Sequence, residues 1–452
     1  MFRKVKCESQ PNSEKNDTRF STQVKVDRVV INGLDRTKDD IVIKQVEPLF
    51  EADTFEEMLQ KSGETEDRLK RLGIFKQVAT VIDTSKGENA SENGYEVNYI
   101  VKENRNVSAG AHAEIGTNDG TLRFNVNSPN MFGRAERLTA DYRCDNKQMR
   151  GFGLHFTKPV NGNTDVLIGA NAYQAFNEFP WSGYTEKDRG LGIDLSFPSL
   201  IGIHNIKWEG VWRDLRCSSN KTSFAVREQA GHSLKCSIIH SLTRDSRDNA
   251  ILPTEGTLLK LTQEYAGIGG NAQFFKHQVE LQANKSLFLD SVLQLSLAGG
   301  VMRHLQANKE IMISDKFFLG GPLTLRGFDL NGAGPCSDGN ALGGDMYCVG
   351  AVHLYTPLPF RSGKGGLGDI LRSHFFVNTG NCGNFQSLRL SDFNKDNLDL
   401  FRNSLRLSYG AGIVLRLGGV ARVELNYVVP IWLLPGDRVN PGIQLGVGLS
   451  FL

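Results

Sequence analysis

The sequence predicts a transmembrane β-barrel of about 16 antiparallel strands, preceded by one small α+β domain of order βααββ. Three observations lead there. Helical periodicity is confined to the stretch between Val24 and Glu103. From Val107 to Leu452 short segments alternate apolar and polar residues, the pattern of a wall with one lipid-compatible and one wet face. No run of about 18 apolar residues occurs, so a chain that crosses a bilayer must do so as a closed barrel, which also satisfies every backbone group in lipid. Alternation alone does not separate a barrel from a soluble sandwich. Length favours the barrel, because roughly 345 residues at about ten per strand plus connections hold about 16 strands, an unusual size for one soluble sheet.

Composition narrows the partners. The 452 residues carry 52 basic and 50 acidic side chains, a net charge of +2, so no global field draws nucleic acid or an anionic membrane surface. The 48 glycines suit strands crowded at turns and seams. The N-terminus, MFRKVKCESQPNSEKND, has no apolar core of the kind a secretory signal needs, which points to synthesis in a cytosol. Residues 1–21 read as disordered. Seven scattered cysteines without a CxxC read as mostly free thiols; whether Cys336 and Cys348, which flank one loop, pair is left open.

The small domain spans residues 22–105. Its first strand, Val24 to Ile31, ends at Asn32-Gly33. Thr37 with Asp40 reads as a capping box for a helix bearing Ile41, Val42, Val46 and Leu49. Thr54 with Glu57 repeats the device before a second helix carrying Met58, Leu69 and Leu72. Gly63 is expected to bend or split that helix, and Gly73 to stop it. Two strands follow, around Val78 to Asp83 and Tyr95 to Val101.

The barrel spans residues 106–452. Its dyads are plain in Leu122, Phe124 and Val126 against Arg123, Asn125 and Asn127, and in Leu405 to Leu415 against Arg406, Ser408 and Arg416. Between such segments lies GGPLTLRGF, Gly320 to Phe328, within a loop expected to fold inward around residues 318–345. A guanidinium keeps its charge, so Arg326 inside a lumen must find acceptors on the wall. Gly327 supplies the tight backbone and Phe328 a wedge at the loop tip. Arg244, Asp245, Arg247 and Asp248 read either as a structural charge network or as part of a functional motif. Trp181, Trp208, Trp212 and Trp432 suit an interface belt. The histidines are isolated, the glycine clusters lack a Lys-Ser/Thr ending, and no catalytic constellation stands out. No cofactor or metal is expected, and the chain does not read as an enzyme.

Several motifs then point to a family. The βααββ order with RLGIFKQVATVID resembles a POTRA domain, an unrelated small α+β module being the alternative. TRDSRDNAILPTEG (Thr243 to Gly256) resembles the D-x-R…P-x-x-G motif of the BamA-type outer-membrane assembly superfamily, and GGPLTLRGF resembles its sixth-loop signature. LGGDMY, HLYTPLPF, FFVNTGN and ELNYVVP follow in the family's order. A lone POTRA without an export signal is similar to the barrel subunits of the mitochondrial sorting and assembly machinery. QLGVGLSF (Gln444 to Phe451) resembles the signal by which such machines recognise the last strand of their clients. Family members hold the loop arginine with a Glu and an Asp, whereas His353 and Asn378 occupy those positions here. Asp345 and Glu424 are therefore added as candidate partners of Arg326.

The resemblance implies a mitochondrial outer-membrane insertase, with the POTRA domain in the intermembrane space. Its partners would be unfolded β-barrel precursors, peripheral subunits of the machinery, the lipid bilayer and inner-membrane scaffold complexes. The expected site is a lateral seam between a first strand carrying Val107, Ala109, Ala111, Ala113 and Ile115 and a last strand carrying Gln444, Gly446, Gly448, Leu449 and Phe451. Glycines weaken a strand interior, so this seam is expected to part and accept a client strand. The alternatives are a polypeptide-translocating channel, a passive pore, and a tether between outer and inner membranes.

Overall fold

The computed structural model describes residues 23–86, 91, 93–115, 120–145, 150–306, 310–358, 370–384, 403–418, 421–448 and 451. It forms two compact units. The first comprises Met1–Ala109 with Val126–Leu138 and Thr157–Thr164, and the second comprises Gly110–Asn125, Thr139–Phe156 and Asp165–Leu452.

In the first unit, β1 (Lys25–Asn32), α1 (Asp39–Val46), a 3-10 turn (Glu47–Glu51), α2 (Phe55–Arg71), β2 (Phe75–Thr84) and β3 (Gly94–Glu103) follow one another. The sheet order is β1-β3-β2, with β1 parallel and β2 antiparallel to β3. Apolar residues of α1, the 3-10 turn and α2 meet alternate residues of β3, burying Val42, Leu49, Met58, Leu69, Val97 and Tyr99. Each such aliphatic side chain contributes about 1.5–3 kcal/mol by leaving water. Tyr99 keeps a partner for its hydroxyl, which donates to the Ser62 carbonyl at 3.2 Å.

Three local expectations meet different outcomes. The Thr54 hydroxyl caps α2, accepting from Glu57 N at 3.3 Å. Thr37 does not cap α1; Lys38 stands at that position, without a side-chain cap. The Thr37 hydroxyl instead donates to Glu103 at 2.6 Å, and the same carboxylate accepts from the backbone of Asp35, Arg36 and Thr37. A charged acceptor taking four donors outcompetes a neutral local cap. Burial pushes the Glu103 carboxyl up, but the hydrogen bonds from Thr37, Asp35 and Arg36 outweigh it and hold it below the usual carboxylate range. Gly63 does not split α2, which runs unbroken through it from Phe55 to Arg71. Gly73, at φ +70°, does turn the chain out of the helix.

The remaining strands are β4 (Ser108–Ile115), β5 (Gly120–Pro129), β6 (Arg137–Asp145), β7 (Arg150–Val160), β8 (Asn163–Phe179), β9 (Tyr184–Pro198), β10 (Ile203–Cys217) and β11 (Gly231–Asp245). They continue with β12 (Gly256–Gly270), β13 (Phe274–Ser286), β14 (Val292–His304), a small hairpin of β15 (Cys336–Ser337) and β16 (Asn340–Ala341), and β17 (Met346–Pro357). The last four are β18 (Leu371–Gly383), β19 (Arg406–Leu417), β20 (Ala421–Trp432) and β21 (Gly442–Gly448). All but the small hairpin join one 16-stranded sheet in sequence order, from β4 at one end to β21 at the other.

One face of this sheet is apolar. Ile206, Trp208 and Trp212 on β10 and Ile443, Leu445 and Val447 on β21 are exposed, while Glu209, Arg213 and Gln444 between them are buried. A single connection, Leu305–Asp345, touches that buried polar face at β10 and again at β20 and β21. Contact with strands so far apart in the order requires the sheet to curl round the loop, polar face inward. The fold is a transmembrane β-barrel with the loop in its lumen. Trp432 is also exposed, whereas the Trp181 carbonyl accepts from Ala341 N in the β8–β9 turn. Cys336 and Cys348 are both free, the Cys336 thiol donating to the Gly436 carbonyl.

Candidate functional site

Alternation on β20 aims Arg422, Glu424, Asn426 and Val428 into the lumen, where each is nearly or fully buried. The loop tip brings Arg326 to them. Its Nε and Nη2 donate to one Glu424 oxygen at 3.1 and 2.9 Å, with both side chains sealed from solvent. Arg422 pairs with the same carboxylate and donates to the Tyr355 hydroxyl. Two guanidiniums thus share one carboxylate, and aromatic faces meet the excess positive charge. Arg326 lies 5.1 Å from the Phe376 ring centre and 5.7 Å from that of Phe451, and Arg422 lies 4.9 Å from Tyr355 and 4.7 Å from Phe451.

Of the four expected partners of Arg326, Glu424 touches it directly. Asn378 does so with its amide turned to satisfy both ends, the oxygen accepting from Nη1 at 3.0 Å. His353 stands further off in a relay. Asn426 Nδ2 donates to Glu424 at 2.8 Å, so its oxygen must accept from His374 Nδ1 at 2.9 Å, and His374 Nε2 from His353 Nδ1 at 2.9 Å. For neutral rings, that chain of single donors puts the proton of each imidazole on Nδ1. Asp345 closes the loop at the foot of β17, its carbonyl accepting from Met302 N. Arg422, His374 and Tyr355 were missed by sequence reasoning; the inward parity of Arg422, two residues before Glu424, was the available signal.

Gly327 takes φ +91°, a conformation open to glycine, and this aims two adjacent backbone groups at β21. Its N–H donates to Gln444 Oε1 at 3.0 Å, and Gln444 Nε2 donates to the Phe328 carbonyl at 3.4 Å and to that of Asn440 at 3.1 Å. The connection before β21 is knitted to the same tip. Asn440 N donates to Gly327 O, Asp329 N to Arg438 O, and Arg438 N to Gly332 O. Asp437 holds that connection in place by accepting from Arg406 at 2.7 Å. Phe328 is fully buried, wedged among Phe317, Leu319, Leu325 and Ala333.

A second anchor, also missed from sequence, secures the loop's stem. Arg213 on β10 donates bidentately to Asp315 at 2.9 and 3.0 Å, and Lys276 on β13 donates to the Asp315 carbonyl at 2.9 Å. The Asp in IMISDKFF was its only mark in the chain. The Asp245 to Asp248 motif forms a turn clasp. Arg247 pairs with Asp245 at 2.7 Å and reaches Gln282, while Asp248 accepts from Thr254 and Glu255.

At the ends of the sheet, Val107 precedes β4, and Ala109 and Ala111 are exposed on it. Ala113 and Ile115 lie in the strand, with side chains outside the description, and Leu449 lies outside the described residues. Phe451 is not in the last strand. It is buried against the two guanidiniums, beyond the end of β21. Gly446 and Gly448 leave room for Phe451 and the loop, since a Cβ on Gly446 would sit 3.1 Å from the Phe451 ring and 3.3 Å from Pro322, and one on Gly448 3.2 Å from Leu323.

Comparison with known proteins agrees with this architecture. Residues 130–451 match the Omp85 superfamily domain, and residues 24–104 match the POTRA family, described as a surface antigen variable number repeat. The sorting and assembly machinery component 50 homolog of Bos taurus is 45% identical over 430 residues, covering 95% of this chain and 91% of that protein. The Homo sapiens homolog gives the same identity and coverage. A SAM50-like protein of Drosophila melanogaster is 32% identical over 435 residues, 95% of each chain. Among solved structures, BamA from Haemophilus ducreyi lacking POTRA domains 1-3 aligns with a TM-score of 0.74 at 18% identity, covering 94% of this chain and 84% of that one. That likeness is one of fold.

Proposed function

The chain belongs to the Omp85 superfamily and, within it, to the family of sorting and assembly machinery component 50 homologues; from that premise we propose that it folds β-barrel precursors and inserts them into the mitochondrial outer membrane. Insertion proceeds at a lateral seam between β4 and β21. The observation that carries this reading is the state of the two end strands. The order of hydrogen-bonded neighbours ends with them. Among the described residues no ladder pairs β4 with β21, and an open strand edge in lipid leaves backbone groups unsatisfied at several kcal/mol each. An incoming strand relieves that cost by pairing with the edge, and burial of the client's lipid-facing surface drives the step without a nucleotide.

On this reading the POTRA domain faces the intermembrane space, and peripheral subunits of the machinery dock on the assembled barrel, a complex in keeping with the relatives' name as a machinery component. A loop anchored on two sides of the lumen argues against a wide passive pore. The test is a disulfide between cysteines placed in Ser108–Ile115 and Gly442–Gly448. Locked protein is expected to stop assembling porin until reductant is added, and full assembly by a verified locked barrel would remove the reading.

A further inference from the structure

Three histidines that are isolated in the sequence meet on the outer wall of the barrel. On β10 to β13 the outward side is marked by the exposed Ile206, Ile238, Tyr265 and Phe275. His240 on β11, Gln263 on β12 and His277 on β13 share that side, because the ladders set His240 opposite Ile206, Gln263 opposite His240, and His277 opposite Gln263. Their side chains are joined. His240 Nδ1 lies 3.4 Å from Gln263 Oε1, and Gln263 Nε2 lies 3.3 Å from His277 Nδ1. In the other direction His240 Nε2 lies 3.0 Å from Nδ1 of His204, whose Nε2 meets the Ser199 hydroxyl at 2.9 Å.

This polar line climbs the wall. His204 lies one residue from the end of β10 on the Ser199 side, His240 five from that end of β11, Gln263 seven from that of β12 and His277 nine from that of β13. Arg303, exposed on β14 opposite Phe275, continues it to the far end of the strands. At about 3.3 Å per residue and a tilt of about 40°, that climb is about 25 Å, the height of the apolar band of a membrane barrel. An exposed guanidinium stands near each rim, Arg303 at the far one and Arg244, next to the end of β11, at the near one.

A wall that only spans a bilayer needs no such line. The adjoining strands present Leu191, Ile193 and Leu195 on β9 and Leu295, Leu297 and Val301 on β14 to lipid. Polar and ionisable groups in hydrocarbon are costly, and they thin the bilayer locally and draw water in. Mutual hydrogen bonds lower that cost, yet all four side chains remain only half-buried. A phospholipid headgroup crossing the bilayer needs the same things, water and hydrogen-bond partners along the whole way, with cations at the rims to receive its phosphate.

We propose that the wall from β10 to β14 passes phospholipid headgroups between the two leaflets, with His204, His240, Gln263 and His277 as the track. The rim-to-rim extent of the line favours a lipid over a docked protein segment, which needs only a local contact. These strands are the seventh to eleventh of the sixteen, and the proposed seam lies between the first and the last, so the activity stands apart from the insertion reading.

The test uses the full chain in phosphatidylcholine vesicles containing a trace of phosphatidylcholine with a short fluorescent acyl chain in both leaflets. Albumin extracts that lipid from the outer leaflet alone and is too large to pass any lumen. With the protein present, extraction is expected to continue past the outer-leaflet half towards completion. In the triple variant His240→Leu, Gln263→Leu, His277→Leu this second phase is expected to slow about tenfold, the effect of one hydrogen bond lost at the barrier, while porin assembly is unchanged. Extraction that stops at the outer leaflet, as without protein, or an equal second phase in the two proteins, overturns the proposal. A protein that co-purifies with the native chain but not with the variant, at equal extraction rates, would make the line a protein dock and overturn it as well. Should the triple variant fail to fold, His277→Leu alone, which breaks the line in one place, decides by the same criterion.

Discussion

Neutralising Glu424 is expected to unseat the loop further than removing Arg326, although the two form one ion pair. Glu424→Gln strips the shared carboxylate from two guanidiniums, at Arg326 and Arg422, both fully buried. Arg326→Met leaves the carboxylate with Arg422 and Asn426. Breaking a buried pair by removing one partner costs about 3–5 kcal/mol, and orphaning two cations belongs at the top of that range. For Arg326→Met the surviving pair limits the loss to the hydrogen bonds and the contacts over Phe376 and Phe451, about 2–3 kcal/mol. The difference of about 2 kcal/mol is roughly thirtyfold in the docking equilibrium of the loop. Hydrogen exchange reads it at the amides of Asp329, Arg438 and Asn440, which are protected only while the tip is seated. Protection should fall roughly thirtyfold further in Glu424→Gln than in Arg326→Met. The double variant should recover part of the loss, since it leaves one unpaired cation instead of two. Equal losses, the reverse order, or simple additivity would refute the shared-carboxylate account.

Three further outcomes are expected. Asp315→Asn should expose the amides of Phe317 and Gly344 at the loop's stem while leaving Asn440 protected, because the stem is held by Arg213 and Lys276 and the tip by other groups; hydrogen exchange checks this. In the small domain, Gly63→Ala should stabilise α2 by about 0.5–1 kcal/mol, whereas Gly33→Ala should cost more than about 3 kcal/mol, since a Cβ at φ +101° would lie 2.0 Å from the Val101 carbonyl. Denaturant midpoints of the two variants separate the cases. The Glu103 clasp should be at full strength from neutral pH down to the ordinary carboxylate value of 4.5 and weaken below it, because a depressed carboxyl contributes stability that is lost as pH falls through its folded value. Glu103→Gln should flatten that part of the pH profile of domain unfolding.

What the sequence discloses about this fold divides along a physical line. Wall and polarity are local properties. A period of two at Leu425 and Tyr427 against Glu424 and Asn426 announces a strand and its inward face, so the barrel, its strand number and Glu424 as a candidate partner are legible. Arg326 is legible because a guanidinium between a loop's glycines has few other uses. Pairings across the lumen are not local. That Arg422 and Arg326 share Glu424, or that Arg213 meets Asp315, depends on the curl of the sheet and the path of the loop, neither of which has a period. The same limit operates in the small domain, where Thr37 carries the local mark of a helix cap but bonds to Glu103, far along the chain. Gly446 and Gly448 show a subtler form of it. Their composition reads as a weak strand, while their geometry reads as clearance for Pro322 and Leu323.

These contacts bear on which side of the seam moves. Opening by swinging β21 must break both bonds between Gln444 and the loop tip, part the glycines from Pro322 and Leu323, and draw Phe451 from between two guanidiniums. Opening by swinging β4 leaves all of these intact. With the stem tied to β10 and β13 through Asp315, the loop braces the last strand against the opposite wall. If the proposed seam opens, these contacts weigh on β21 rather than β4, and spin labels on the two strands should show the larger displacement on β4 when a client engages. Equal displacement of both, with the tip still protected from exchange, would mean that the loop is no brace.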